Sequence, residues 1–147
     1  MFEKPPFSKD QEDKIVTAIK AAEKNTSGEI KIHIEQHCKA DAYTKAVEIF
    51  EKLKMTATEQ RNGVLIFVAM KDKKFAIIGD KGINEKVPEN FWQQTKDLMI
   101  GHFKEGRIAD GIVEGINDAG LQLQKYFPYQ KNDENELSDD ISYGGNQ

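Results

Sequence analysis

A single cysteine, Cys38, among 147 residues leaves no internal disulfide and gives no sign of an oxidising compartment. No apolar run approaches the roughly 18 residues that a membrane-spanning helix needs. The opening, MFEKPPFSKDQEDK, carries prolines and acids where an export leader needs a positive end and an apolar block. Nor is there a basic surplus: 21 Lys and Arg stand against 25 Asp and Glu, which argues against phosphate neutralisation along a nucleic acid. These absences lead us to expect a soluble, cytoplasmic monomer with no nucleic-acid partner and no membrane span.

What is present suits one packed domain. Hydrophobic residues make up 38% and charged residues 31%, enough for one core and a well-solvated surface. The net charge of −4 is unevenly placed. From Pro128 onward one lysine faces Asp133, Glu134, Glu136, Asp139 and Asp140, so residues 1–127 sum to zero. We read 1–127 as a single α/β domain and 128–147 as an acidic, polar C-terminal tail, solvated and partly disordered.

The apolar periodicity then places the elements. Ser8 with Gln11 three residues on forms a capping box, and Ile15, Ile19 and Ala22 give the helix that follows an inner stripe. EIKIHIE alternates strictly: Ile30, Ile32 and Ile34 face one side, while Glu29, Lys31, His33 and Glu35 face a solvated one. Asp41 can cap a second helix carrying Ala46, Ile49, Phe50 and Leu53. VLIFVAM has no polar interruption, as expected of a central strand covered on both faces, and KFAIIG after KDKK is its antiparallel partner. Pro88 suits the first turn of a helix whose inner side would hold Phe91, Trp92, Thr95, Leu98, Met99, His102 and Phe103. A last helix from about Ile108 to Phe127 carries three glycines, Gly111, Gly115 and Gly120, which point to close approach of a neighbour. The resulting order, α-β-α-β-β-α-α, predicts a small mixed sheet whose first two strands are parallel through a right-handed crossover.

Four segments in order, SGEIKIHI, NGVLIFVA, KKFAIIGDKGI and FKEGRIADGI, resemble the landmarks of the TPM domain, a family named for thylakoid-lumen, photosystem-repair and receptor-auxiliary members. The Asn62-Gly63-Val64 entry into the apolar strand and the Gly79-Asp80-Lys81-Gly82 turn after its partner are the most distinctive parts. The resemblance implies a three-layer α/β/α sandwich of Rossmann-like outline with helices on both faces of the sheet. It also implies divalent-cation binding, Ca²⁺ or Mg²⁺, and for some members acid phosphatase activity.

Hard cations take several oxygen ligands from carboxylates, carbonyls and waters. Two rims of the sheet gather such groups. At one, Asp80 and Glu29 flank the glycine turn, with Asn62 beside them. At the other, the carboxyl end of the parallel pair, Glu35 and Asp110 lie with His37 and Asp41. Each has a plain structural alternative: Asp80 capping a turn beside Lys81, and Asp41 and Asp110 favouring helix N-termini. The sequence leaves both rims open. Motifs for attack on phosphorus are missing: Thr44 stands where C-x5-R needs arginine after Cys38, no D-x-D follows a parallel strand, and no P-loop occurs. His33, His37 and Cys38 lack the spacing of a zinc site. The expected function is a non-catalytic cation-binding or interaction module, with a metal-dependent phosphatase acting on phosphomonoesters as the alternative. A protein partner on the face Glu29, Lys31, His33 and Glu35 is a third reading.

Overall fold

Residues 64–68, free of any polar side chain, sit at the centre of the sheet because they can be covered from both sides. The computed structural model describes residues 6–130 and 136–144. In chain order the elements are α1 (Lys9–Ala22), β1 (Glu29–Glu35), α2 (Ala42–Lys52), β2 (Gly63–Ala69), β3 (Lys74–Gly79), α3 (Lys81–Asn84), α4 (Gln93–Phe103), α5 (Ile108–Gln124) and β4 (Ser142–Tyr143). The strand order is β3-β2-β1-β4. β1 runs parallel to β2, with Glu29 opposite Gly63, and β3 returns antiparallel to β2. The sandwich expected from the sequence is present, with α3 and β4 as additions. No helix among the described residues is long and apolar enough to cross a membrane.

The two faces of the sheet are covered unequally. On one face Ile30, Ile32, Ile34, Val64, Ile66, Val68 and Ile77 pack into the main core with Ile15 and Ile19 of α1, Met99 of α4, and Ile112, Ile116 and Leu123 of α5. On the other, Leu65, Phe67, Ala69, Ala76 and Ile78 meet Ala46, Ile49 and Phe50 of α2, with Met55 beyond it. Each fully buried large side chain contributes about 1.5–3 kcal/mol of transfer free energy. One helix, lying over β2 and β3, does not reach across β1. The side of β1 that carries Glu29, Lys31, His33 and Glu35 is therefore left to another segment.

That segment is the tail. Pro128 bridges to Thr26 just before β1, and residues 136–144 then lie along β1 until Ser142 and Tyr143 pair with it in parallel, opposite His33 and Ile34. The solvated tail expected from composition is thus docked over its described part; Asp133, Glu134 and Gly145 lie outside the described residues. The expectation of one exposed face on β1 is corrected with it: Glu29, His33 and Glu35 are 4%, 4% and 2% exposed. Two smaller corrections concern α4. It begins at Gln93 rather than at Pro88, and Leu98 lies at the surface because Thr95 and Met99 face inward.

The glycines of α5 are there for proximity. A Cβ at Gly111 would fall 2.5 Å from Phe103, one at Gly115 2.5 Å from Met99 Sδ, and one at Gly120 2.8 Å from Ala22 Cβ. Gly82 is tighter still: its Cβ would stand 2.2 Å from the Gln60 carbonyl oxygen, while its N–H donates to Arg61 O at 2.9 Å. We predict that Gly82→Ala lowers stability by about 1–3 kcal/mol, since backbone must move to admit the methyl. Gly101→Ala, in exposed helix with nothing within 4 Å of the added Cβ, should instead raise it by about 0.4–1 kcal/mol. Denaturant midpoints of the two variants check both signs.

Candidate functional site

The glycine turn after β3 is a closed piece of structure. Asp80 starts α3 by accepting the Lys81 N–H, and its carboxylate takes Arg61 in a two-point pair, Nε to Oδ2 at 2.7 Å and the terminal amine to Oδ1 at 2.9 Å. The Asp80 N–H donates to Gly63 O, so Asp80, Gly63 and Glu29 stand in a row across three strands. Two strand spacings, about 10 Å, therefore separate the Asp80 and Glu29 backbones. A groove of about 450 Å³ beside Asp80 is lined by α2 and α3, with Arg61 at its wall. Asn62 is buried, and its amide donates to Ser27 O.

The opposite rim is equally committed. Asp41 caps α2 by accepting the Thr44 N–H and hydroxyl, which holds its carboxyl below the usual range. His37 pairs with Asp72 at 3.1 Å, and Asp72 also accepts the Cys38 N–H, the main reason its pKa is lowered. Burial pushes the Cys38 thiol up, away from thiolate reactivity. Asp110 lies exposed in the first turn of α5, and no hydrogen bond or ion pair joins it to Glu35. The four acids of the cation reading, Glu29, Asp80, Glu35 and Asp110, are thus not brought together. Among the described residues no group of three or more His, Cys, Asp and Glu side chains is placed to hold an ion.

The most densely connected polar groups lie instead beneath the docked tail. His33 stacks over Phe67, with ring centres 6.0 Å apart. Its Nε2 lies 2.9 Å from Glu35 Oε2 and its Nδ1 lies 2.7 Å from Ser142 Oγ. The ring thus links the carboxyl to the hydroxyl, with one nitrogen on each. Burial lowers the His33 pKa, against the pull of Glu35, so the ring is neutral at pH 7. Gly144 seals the Glu35 carboxyl, where any Cβ would fall 2.4 Å from Cδ, and Glu35 Oε1 has no hydrogen-bond partner among the described residues. Hydroxyl, imidazole and carboxyl stand in the order of a hydrolytic relay. Yet neither the groove beside Asp80 nor the cleft beside Phe75 reaches Ser142.

Further along β1, Glu29 of the strand and Glu23 at the end of α1 meet acids of the tail. Glu29 accepts the Leu137 N–H at 2.6 Å and lies beside the Glu136 carboxyl. Burial, opposed by that N–H, pushes its pKa up to about 7. Glu23 accepts the Ile30 N–H and is hydrogen-bonded to Asp139; burial first and Asp139 second push it up to about 9. Lys31 is the opposing charge, its ammonium donating to the carbonyls of Ser138 and Asp140 at 3.2 and 2.8 Å. Sequence reasoning missed Glu23, Glu136, Asp139 and Ser142 because their partners lie on another element. The only available signal was an acidic tail following a strand with a polar face.

The arrangement defines a small α/β/α domain with a mixed sheet, an edge strand closed by its own tail, and oxygen-rich polar groups along that edge. The chain belongs to the TPM domain family, whose model matches residues 6–122. It is similar to the BA42 protein of the psychrophilic bacterium Bizionia argentinensis, solved by NMR, at 45% identity over 97% of this chain and 99% of that one, with a TM-score of 0.92. The amino-terminal domain of a P. gingivalis protein shares the fold at 17% identity and TM-score 0.70, over 86% of this chain and 82% of that one. That of the cg2496 protein from Corynebacterium glutamicum does so at 11% and 0.63, over 99% and 93%. Comparison with the curated proteins gives no match.

The raised carboxyls and the lowered imidazole make tail docking depend on pH in opposite senses. Glu29 faces Glu23, Glu136 and the Leu137 N–H; Glu23 faces Asp139, Lys31 and the Ile30 N–H. Their folded pKa values exceed the ordinary 4.5, so docking weakens as pH rises from there through about 7 and about 9. His33, lowered from 6.5, favours docking above that value and opposes it as pH falls through its folded one. Docking is thus firmest between about 4.5 and 6.5. Hydrogen exchange at the Leu137 and Gly144 amides, corrected for intrinsic rates, should show protection falling between pH 6 and 9. Glu23→Gln with Glu29→Gln should flatten that fall.

Proposed function

We propose that this TPM domain is a non-catalytic module that takes a divalent cation, Ca²⁺ or Mg²⁺, where acids of the body meet acids of the tail: Glu29 of β1 with Glu136, and Glu23 at the end of α1 with Asp139. The observation that carries the reading is the Glu29–Glu136 contact, with Glu29 raised to about 7. Burial first, and the neighbouring Glu136 charge after it, favour a proton on Glu29 near neutral pH. A hard divalent ion neutralises the same pair with the oxygen chemistry that Ca²⁺ and Mg²⁺ prefer.

The donor set suits such an ion in kind more than in number. With fewer than three acidic or imidazole ligands grouped among the described residues, waters must complete the shell. Affinity then belongs to the weak class, about 10⁻⁴–10⁻³ M. Of the acids singled out from the sequence, Glu29 takes part directly. Asp80 is neutralised by Arg61, Glu35 is enclosed beneath Gly144, and Asp110 is exposed at the start of α5. Catalysis is left out of the reading because Ser142, the hydroxyl beside an imidazole, is held in β4 under no cleft that a phosphate ester can enter from Asp80 or Phe75.

Amide-resolved titration with Ca²⁺ and Mg²⁺ tests the proposal. Saturable shifts should concentrate on residues 29–31 and 136–140 and be stronger at pH 8 than at pH 6, since the ion displaces protons. Glu29→Gln and Glu136→Gln should weaken binding by about tenfold or more, whereas Asp80→Ala and Asp110→Ala leave it unchanged. At pH 8 the bound ion should also restore exchange protection to the tail. Shifts centred on residues 80–85, or none below about 10 mM, would overturn the assignment.

A further inference from the structure

The three-helix face has an opening that the tail and its acids do not line: a cleft of about 600 Å³ between the β2–β3 hairpin and the α4–α5 connection. Its floor is apolar. Met70, Phe75, Phe103 and Ile108 pack on the main core yet stay partly exposed. Phe75 and Phe103 meet edge to face with ring centres 5.2 Å apart, and the close passage of Gly111 fixes Phe103 from behind. Two left-handed turns, at Lys73 (φ 54°) and Gly106 (φ 78°), border the mouth.

The charge around this floor has one sign. Lys73 and Lys104 stand at its mouth and, among the described residues, no Asp or Glu lines it; Lys74, opposite Ala69, borders it but sends its ammonium to the other face of the sheet. The Lys74 ammonium is anchored by the carbonyls of Cys38 and Ala40 at 2.9 and 3.2 Å. Lys73 and Lys104 are exposed and form no ion pair among the described residues. The acids next to them in sequence are engaged elsewhere, Asp72 by His37 and the Cys38 N–H, Glu105 by Arg107. In a domain whose residues 1–127 carry no net charge, a lysine-only rim around partly exposed aromatic surface is a local segregation of charge.

Size and position agree with a small-molecule site. The volume falls within the roughly 300–1,000 Å³ of ligand pockets. The cleft opens at the carboxyl end of β2, where open α/β sheets bind their ligands. We propose that it binds a free, single-chain anionic amphiphile, its apolar tail on Phe75, Phe103 and Ile108 and its carboxylate or phosphate head between Lys73 and Lys104. The apolar floor selects the tail, and the lysines exclude a cationic head.

Titrating the full chain with decanoate, decyl phosphate, decyltrimethylammonium or phosphatidylglycerol vesicles separates the alternatives. Either decyl anion should shift the amides of residues 68–75 and 100–108 saturably below its self-assembly concentration, and the cation should not. The relative strength of the two anions identifies the head group. Lys73→Glu with Lys104→Glu, both at the surface, should weaken binding by about tenfold while the rest of the spectrum is unchanged. Ile108→Gln should weaken it with the lysines intact. Equal binding of the cation, shifts elsewhere, or a response to vesicles alone would each overturn the proposal.

Discussion

The arrangement rests on one imbalance: three long helices, with Ile83 of the single-turn α3 beside them, cover one face of the sheet and a single helix covers the other. α2 spans β2 and β3 through Ala46, Ile49 and Phe50, which leaves half of β1 without a helical partner. A polar strand face left beside a packed core is in an awkward position, because its groups are neither well hydrated nor paired. The tail resolves this by bringing N–H groups, carbonyls and a hydroxyl to Glu29, Lys31 and His33. Leu137 and Ile141 pack against the two cores, the other contacts that hold it down are polar, and its strand pairing spans only two residues. Such polar contacts are sensitive to protonation in a way that Ile15 or Phe67 in the core is not.

Much of the architecture was legible in the chain because local and global preferences agree. The Ser8–Gln11 capping box forms as the spacing predicts, Asp41 caps α2, and the uninterrupted run of apolar residues is the central strand. The glycines of α5 mark close passages against Phe103, Met99 and Ala22, as their placement within a helix suggested. Where the reading differed, tertiary contacts had overridden a local signal. Pro88 is a good first-turn residue, yet the helix starts only at Gln93. The acidic composition of the tail argued for solvation, and composition carries no information about a strand that will receive it.

The site was less legible for the same reason. Asp80 was picked out by its glycines, and in the fold those glycines serve a different purpose. Gly82 lets the α3 turn sit against the backbone of residues 60–61, where Asp80 grips Arg61. Glu29 and His33 were visible as the polar half of an alternating strand, but alternation alone says only that two faces differ. Their partners Glu136 and Ser142 stand more than a hundred positions away, and no spacing rule spans that distance. The lysine-rimmed cleft likewise draws on a hairpin and a helix connection that pattern analysis treats as separate events.

The register of β4 also bears on how the molecule is made. Ser142 closes on His33 across 109 positions, so the edge of β1 emerges from the ribosome long before the strand that shields it. Throughout that interval a nascent chain exposes unsatisfied backbone groups beside a nearly complete sheet, a surface on which neighbouring strands can template. Closure of so long a loop is entropically slow, which makes it a late step of maturation. The charges along β1, Glu29, Lys31 and Glu35, are the kind of side chains that discourage edge-to-edge association while the edge waits.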